Sequence, residues 1–398
     1  MKRNIPYIVL VAIIIGIIVA VKPWKNGRTS LEEGADTTAV QSGYYLPAEE
    51  NASNQNVQVK TCIYMENSGS MDGYVNLNSE FKDALGKIIV KSNNYSITTD
   101  LFFVNDAIYD VQQTPLKGDV NNFVSQLNAS NMKVGATGSS NINKIFKMVL
   151  DNTVNDTVSI LFSDFVYSIK GTDVSSQVSN AKNATMGAFM DAIKRNPNFA
   201  TIILQCSSRF HGKYYDRNDH PIPFVGTRPY YIFVMGSYDK LKYLDEKLAL
   251  NNSNTGIPGL INKYLLSSKS WTLDENTAQA LTTSYTNSLL IKPERNGFDI
   301  DFFKFDNSNS NWDFAYALGL SNLFVDGSYL TDINNYEVEP RDVSIIKAEY
   351  TKDPATLSEV PQFSSPLVLQ FSTERTVKTP NFKVRLINKI PAWVSAAD

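Results

Sequence analysis

Cysteine and histidine are nearly missing from this chain, with two of each in 398 residues. So few ligands of these types exclude a disulfide-built fold and a Cys/His zinc centre. Cys62 and Cys206 each lie inside an apolar run, which reads as a buried strand residue. A basic excess is also missing. Net charge is −3, and Lys and Arg are scattered rather than clustered, so nothing marks a nucleic-acid surface. No G-x-S-x-G elbow surrounds a serine, and the glycine-containing run GATGSS (135–140) lacks the lysine of a phosphate-binding loop. With 43 % hydrophobic and 19 % charged residues, the composition is that of a globular protein long enough for two domains and appendages.

Long hydrophobic runs are rare too, which makes the one at the N-terminus conspicuous. Residues 5–21 (IPYIVLVAIIIGIIVAV) carry no charge and are flanked by Lys2 and Arg3 before and Lys22 and Lys25 after. About 20 residues of helix span a bilayer core. No small-x-small cleavage site follows, so residues 1–24 are expected to form an uncleaved transmembrane signal anchor. An amino terminus on the cytoplasmic side would put the body outside it, in the periplasm or at the cell surface. Residues 25–56 are polar with no apolar period, the pattern of a flexible linker.

From residue 57 the chain alternates between strand-like and helix-like stretches. Apolar strands are expected at 57–65, 101–104, 158–162, 199–206 and 230–235. Between them, Phe81, Leu85, Ile88 and Ile89 repeat at helical spacing, as do Ile142, Ile145, Phe146, Val149 and Leu150. Further helices are expected at 174–195 and 237–250. This order predicts an α/β domain over 57–265 with a Rossmann-like, doubly wound, mostly parallel sheet. Beyond 285 the runs FDIDFFKF, VSIIKAEY, LVLQFS and FKVRLIN are short, largely alternating and split by turn residues. They predict a smaller, mainly antiparallel β domain of sandwich type over 285–398.

The chemistry concentrates at strand ends. The run TCIYMENSGSMDGYV (61–75) places Glu66, Ser68 and Ser70 at every second position where the first strand stops. A hard cation such as Mg²⁺ takes about six oxygen ligands, and a carboxylate-x-hydroxyl-x-hydroxyl turn aims three oxygens at one point. Other oxygens arrive where α/β order brings them: the loop GATGSSNI (135–142) before a helix, and Asp164 at the end of SILFSDF (159–165). The bland alternative for the first run is a polar turn whose serines cap the next helix.

Together these three elements resemble the von Willebrand factor A (vWA) domain with its metal-ion-dependent adhesion site (MIDAS), over roughly residues 57–255. The family's D-x-S-G-S-M stands here as Glu66-Asn67-Ser68-Gly69-Ser70-Met71. Its G-G-T-N-I corresponds to Gly138-Ser139-Ser140-Asn141-Ile142, with Ser140 in the threonine's place and Thr137 as the competing hydroxyl. Its strand-ending aspartate corresponds to Asp164. The departures are Glu66, one methylene longer than aspartate, and Ser140. The resemblance implies a divalent cation, Mg²⁺ or else Mn²⁺ or Ca²⁺, held by Glu66, Ser68, Ser70, Ser140 or Thr137, and Asp164. It implies recognition of a partner protein's Asp or Glu carboxylate, in adhesion or assembly, by a bacterial-type membrane-anchored protein that is not an enzyme.

Two rival expectations stand beside it. Residues 207–229 (SSRFHGKYYDRNDHPIPFVGTRP) hold both histidines and read as a polar, aromatic surface loop. Arg209, His211, Tyr214, Tyr215 and His220 there suit a partner surface, and less well an acid–base or metal site. The other rival is a metal-free structural scaffold of the cell envelope.

Overall fold

The computed structural model describes residues 57–267 apart from 77, 118–119, 139–140, 155, 167–173 and 216–219, and most of 277–393. In the latter stretch 282–288, 295–296, 303–310, 321–323, 326, 340, 375–381, 388, 390 and 392 are outside the description. The expected anchor and linker (1–24 and 25–56) also lie outside the described residues. Among the described residues no helix is long and apolar enough to cross a membrane.

The chain divides into two compact units, one built mainly on 55–270 and one on 271–389. The first is an α/β unit with a seven-stranded mixed sheet. Its strands are β1 (Lys60–Glu66), β2 (Thr98–Val104), β3 (Ile108–Asp110), β4 (Thr157–Ser163), β5 (Phe199–Tyr215), β6 (Pro221–Ser237) and β7 (Leu260–Ser267). Their order across the sheet is β3-β2-β1-β4-β6-β5-β7. β1 pairs in parallel with both β2 and β4, while β3, β6 and β7 run antiparallel to their neighbours. The sheet is therefore less uniformly parallel than the alternation of patterns predicts. The run at 230–235 does form a strand, but it lies between β4 and β5 and is antiparallel to both.

Besides the short helical turn Asp72–Val75, the described helices beside the sheet are α1 (Glu80–Tyr95), α2 (Val120–Gln126), α3 (Ile142–Asn152), α4 (Val174–Arg195) and α5 (Tyr238–Leu248). Both apolar stripes read from the sequence point inward. Phe81, Leu85, Ile88 and Ile89 of α1, and all five stripe residues of α3, are at most 1 % exposed. Both helices start at side-chain caps that satisfy a first-turn N–H. Ser79 accepts from the Lys82 N–H, and Asn141 accepts from the Lys144 N–H. On the α3 and α4 side, Phe146 packs against Phe165, Phe189 and Phe233 with ring centroids 5.1–5.6 Å away. On the other side Phe81 of α1 packs against Phe162 and Tyr230.

The second unit is antiparallel, as the alternating runs predict. Its main sheet has the order β13-β14-β11-β8, formed by β8 (Ala278–Leu281), β11 (Asn311–Leu318), β13 (Val343–Tyr350) and β14 (Leu367–Glu374). Two further pairs are β9 (Leu289–Glu294) with β10 (Gly297–Phe302), and β12 (Tyr336–Glu339) with β15 (Lys383–Leu386). Phe314, Leu318, Leu367, Leu369 and Phe371 lie in its core. Among its described residues no cluster comes together to which a chemistry can be assigned.

A further expected element that takes another form is 207–229. It is no loop. Most of it belongs to the two 17-residue strands β5 and β6, which pair along their whole length, from Phe199↔Ser237 to Tyr215↔Pro221. β4 accompanies β6 only as far as Tyr231, and β7 leaves β5 at Cys206. The far half of this hairpin is thus a two-stranded ribbon projecting past the end of the sheet. Its polar side chains hid the strand because a ribbon wet on its sides shows no apolar run.

Candidate functional site

In an open α/β sheet, ligands bind beyond the carboxyl ends of strands where the connections diverge. Here the divergence falls between β1 and β4. The chain leaves β1 through α1 toward β2, and leaves β4 through α4 toward β5, on opposite sides. Glu66 is the last residue of β1, and Asp164 follows the last residue of β4. The first and third predicted elements of the site therefore meet at the switch point.

A row of oxygens joins them. Ser68 Oγ donates to Glu66 Oε1 at 2.8 Å, Ser68 Oγ and Ser70 Oγ lie 3.0 Å apart, and Ser70 Oγ donates to Asp164 Oδ1 at 3.1 Å. All four residues are buried, none more than 8 % exposed. The Val166 N–H also donates to Asp164 Oδ1, at 3.2 Å. Ser163, the residue before Asp164, donates its hydroxyl to Glu66 Oε2 and accepts the Phe165 N–H at 2.9 Å. The backbone turns sharply here, with Phe165 at φ 55°. A bulky residue in the left-handed region is strained, typically by about 1–3 kcal/mol. Packing of its ring against Phe233 and Phe146, centroids 4.7 and 5.4 Å away, holds it there.

A second loop is pinned beside the row. Asn67 Nδ2 donates to the carbonyls of Met132 and Val134 at 2.7 and 2.8 Å. Asn105, just past β2, donates to Asn67 Oδ1 at 2.9 Å and to the Val134 carbonyl at 2.7 Å. The Gly69 N–H then donates to the Thr137 carbonyl at 3.0 Å. Thr137 thus reaches the first loop through its backbone. Ser140, its competitor for the hydroxyl role, lies outside the described residues.

Asp164 is the electrostatic centre. Burial pushes its carboxyl above the ordinary carboxylate value, opposed by the nearby Arg228 guanidinium and by the hydrogen bonds from Val166 and Ser70. Its second oxygen, Oδ2, is buried with no hydrogen-bond partner. Such an atom is costly by about 1–3 kcal/mol unless something fills the gap. Asp72, in the short helical turn after the motif, is also pushed upward by burial, against Lys133 and Lys213.

The ribbon walls the site. Gly73 and Gly212 permit the contact: a Cβ on Gly73 would strike the Phe210 ring, and one on Gly212 would stand 2.6 Å from the Gly73 Cα. Tyr74 donates its hydroxyl to the Pro229 carbonyl at 2.6 Å. Arg209 instead faces away to Glu80, with Nε 2.9 Å from Oε1. His211 and His220 are exposed, and His211 lies opposite Val225 while His220 precedes the Pro221↔Tyr215 pair. That separates them by at least four pairs, roughly 13 Å of strand, so they do not build one site. Tyr214 lies beside Arg228, and Tyr215 has its hydroxyl next to Gly69.

The donor set fits a small hard cation in one respect that can be checked. The row is spaced at 2.8, 3.0 and 3.1 Å, ordinary hydrogen-bond lengths that also match the edge of about 2.9 Å between neighbouring octahedral ligands of Mg²⁺, so the same oxygens serve either arrangement without moving apart. The orphaned Asp164 Oδ2 adds an oxygen without a donor. No group of three or more His, Cys, Asp or Glu comes together among the described residues. The candidate set is of another kind, two carboxylates and hydroxyls.

Sequence reasoning missed four contributors. Ser163 sits inside the quoted L-F-S-D run, and Asn67 and Asn105 act only through a tertiary contact. Arg228 stands in the ribbon, where no local pattern distinguishes it. Comparison of the chain with protein-family models, with curated proteins and with solved structures returned no match.

Proposed function

We propose that the α/β unit is a vWA-type binding module that takes a divalent cation, Mg²⁺ or else Mn²⁺ or Ca²⁺, and recognises a partner protein's carboxylate through it. The observation that carries this reading is the buried Asp164 carboxylate, whose Oδ1 closes the hydroxyl row from Ser68 and Ser70 while its Oδ2 has no hydrogen-bond partner. Ser68, Ser70 and Asp164 would hold the ion, with Thr137 hydrogen-bonded beside them through its backbone. Glu66, accepting from Ser68 and Ser163, supplies balancing charge and fixes the hydroxyls. A bound ion of this type keeps waters and offers a coordination position to an external carboxylate. In this reading the work is adhesion or assembly without bond-breaking, by a chain anchored through residues 1–24 with its body outside the cytoplasm.

One observation favours the metal-free scaffold instead. Arg228 already brings a positive charge to Asp164. Titration calorimetry of the full-length, EDTA-stripped chain with Mg²⁺ and Mn²⁺ separates the two. The cation reading expects saturable binding of one ion, abolished in the Ser68→Ala/Ser70→Ala double variant. Absence of heat in a folded parent, or equal heat in parent and variant, would overturn it.

A further inference from the structure

The strand register places Arg228 against the site. β4 and β6 pair through Ser163↔Tyr231, so Asp164 continues opposite Tyr230, and Arg228 is two residues farther on. Side chains two apart on a strand share a face. Phe162 and Tyr230 both pack on Phe81, so Asp164 and Arg228 belong to that same face. The guanidinium has little freedom to leave. Its Cζ lies 4.9 Å from the ring centroids of both Phe210 and Tyr214, which grip it from the partner strand of the ribbon. Two aromatic faces stabilise a cation without neutralising it. Its Nη1 is buried with no hydrogen-bond partner, like Asp164 Oδ2. The protein has thus placed a fixed positive charge beside a buried carboxylate without closing the two into an ion pair.

We infer that Arg228 is a resident counter-charge of the cation site, held by Phe210 and Tyr214 so that it competes electrostatically with a divalent ion for Asp164 and sets the affinity low. This rests on the cation-binding reading above. A doubly charged ion entering a poorly screened pocket is repelled by a guanidinium that cannot be deprotonated. The consequence is a site that binds the ion weakly by itself and more tightly when a second favourable contribution arrives, such as the carboxylate of a partner. That carboxylate is attracted by the ion and by Arg228 together, so ion and partner bind with mutual reinforcement.

The test is Mg²⁺ titration calorimetry of the full-length chain and three variants, with thermal unfolding as a check of folding. Arg228→Gln removes the charge, Arg228→Met removes it while keeping an apolar stem between the rings, and Arg228→Lys keeps it. Expected is a rise in Mg²⁺ affinity of about tenfold or more in the Gln and Met variants, with the Lys variant within about threefold of the parent. Binding in the parent with equal or weaker binding in the Gln and Met variants would overturn the inference and leave the cation reading standing. An equal rise in all three would overturn it as well, by assigning the effect to lost stacking. A silent parent with binding in the Gln or Met variant would support the counter-charge and overturn the cation reading for the natural chain. No binding in any folded protein would overturn both.

Discussion

Replacing Asp164 with asparagine sets stability against ion binding in a way that a merely structural carboxylate would not. Oδ1 accepts from Ser70 and Val166, and an amide oxygen at the same position keeps both bonds. Oδ2 has no partner and the residue is 6 % exposed, so the ionised group is desolvated and half-satisfied. Its folded-state pKa lies above the ordinary 3.8. The sign follows: the carboxyl's contribution is fully favourable below the ordinary value, where it is protonated in both states, and is lost as pH rises through the raised one. In EDTA at pH 7, Asp164→Asn removes the buried charge while leaving an unpaired group at the Oδ2 position, and it is therefore expected to be more stable than the parent by about 1 kcal/mol. That corresponds to about 2–4 °C in Tm per kcal/mol for a unit of this size. Near pH 4 the difference should shrink. With Mg²⁺ at a hundred times its Kd, the parent gains about 2.7 kcal/mol and the variant none, so the order reverses. Thermal unfolding at the two pH values, in EDTA and in Mg²⁺, reads all of this. A variant less stable than the parent in EDTA at pH 7, or one that gains equally from Mg²⁺, would refute the reasoning.

Three further expectations concern the frame around the site. Gly212→Ala drives a Cβ to 2.6 Å from the Gly73 Cα, where backbone cannot yield, and Gly138→Ala enters open space. Urea unfolding should show a loss of about 1–3 kcal/mol for the first and less than about 0.5 for the second; equal effects would deny the ribbon's close approach. Phe146→Ala removes three ring contacts in the core of the first unit, and denaturation should show a loss of about 3–5 kcal/mol, a value under 1 contradicting the packing. The Cys206 thiol is pushed up to about 12 and that of Cys62 is raised, both by burial. Ellman's reagent at pH 8 should label both only after unfolding; labelling within minutes in native buffer would show that the thiols are accessible.

Local patterns carried far. The helical stripes of α1 and α3 were readable because 3.6-residue spacing survives without knowledge of the partner surface, and every stripe residue is buried. Residues 174–195, 343–350 and 367–372 likewise appear as α4, β13 and most of β14. The motif around Glu66 was legible because its oxygens are two residues apart, and the Ser68 and Ser70 hydroxyls face the same way. The direction of β6 was not legible. An apolar run such as 230–235 reads the same whichever way it points, and the polar half of the ribbon masked the hairpin that reverses it.

By itself, then, the sequence determined the alternation of strands and helices, the stripes they bury, and the residue types gathered at the ends of β1 and β4. Those properties are local, set by side-chain spacing along one segment. Only the tertiary structure decided that β5 and β6 run on past the sheet, that Gly73 and Gly212 bring the ribbon onto the first loop, and that the Arg228 guanidinium acts electrostatically on Asp164. These two residues are separated in the chain by α4, β5 and the first part of β6, and strand register makes them neighbours. Whether a buried carboxylate meets a protein cation or waits for a metal ion is a matter of electrostatics over a few ångströms, and no spacing along the chain encodes it.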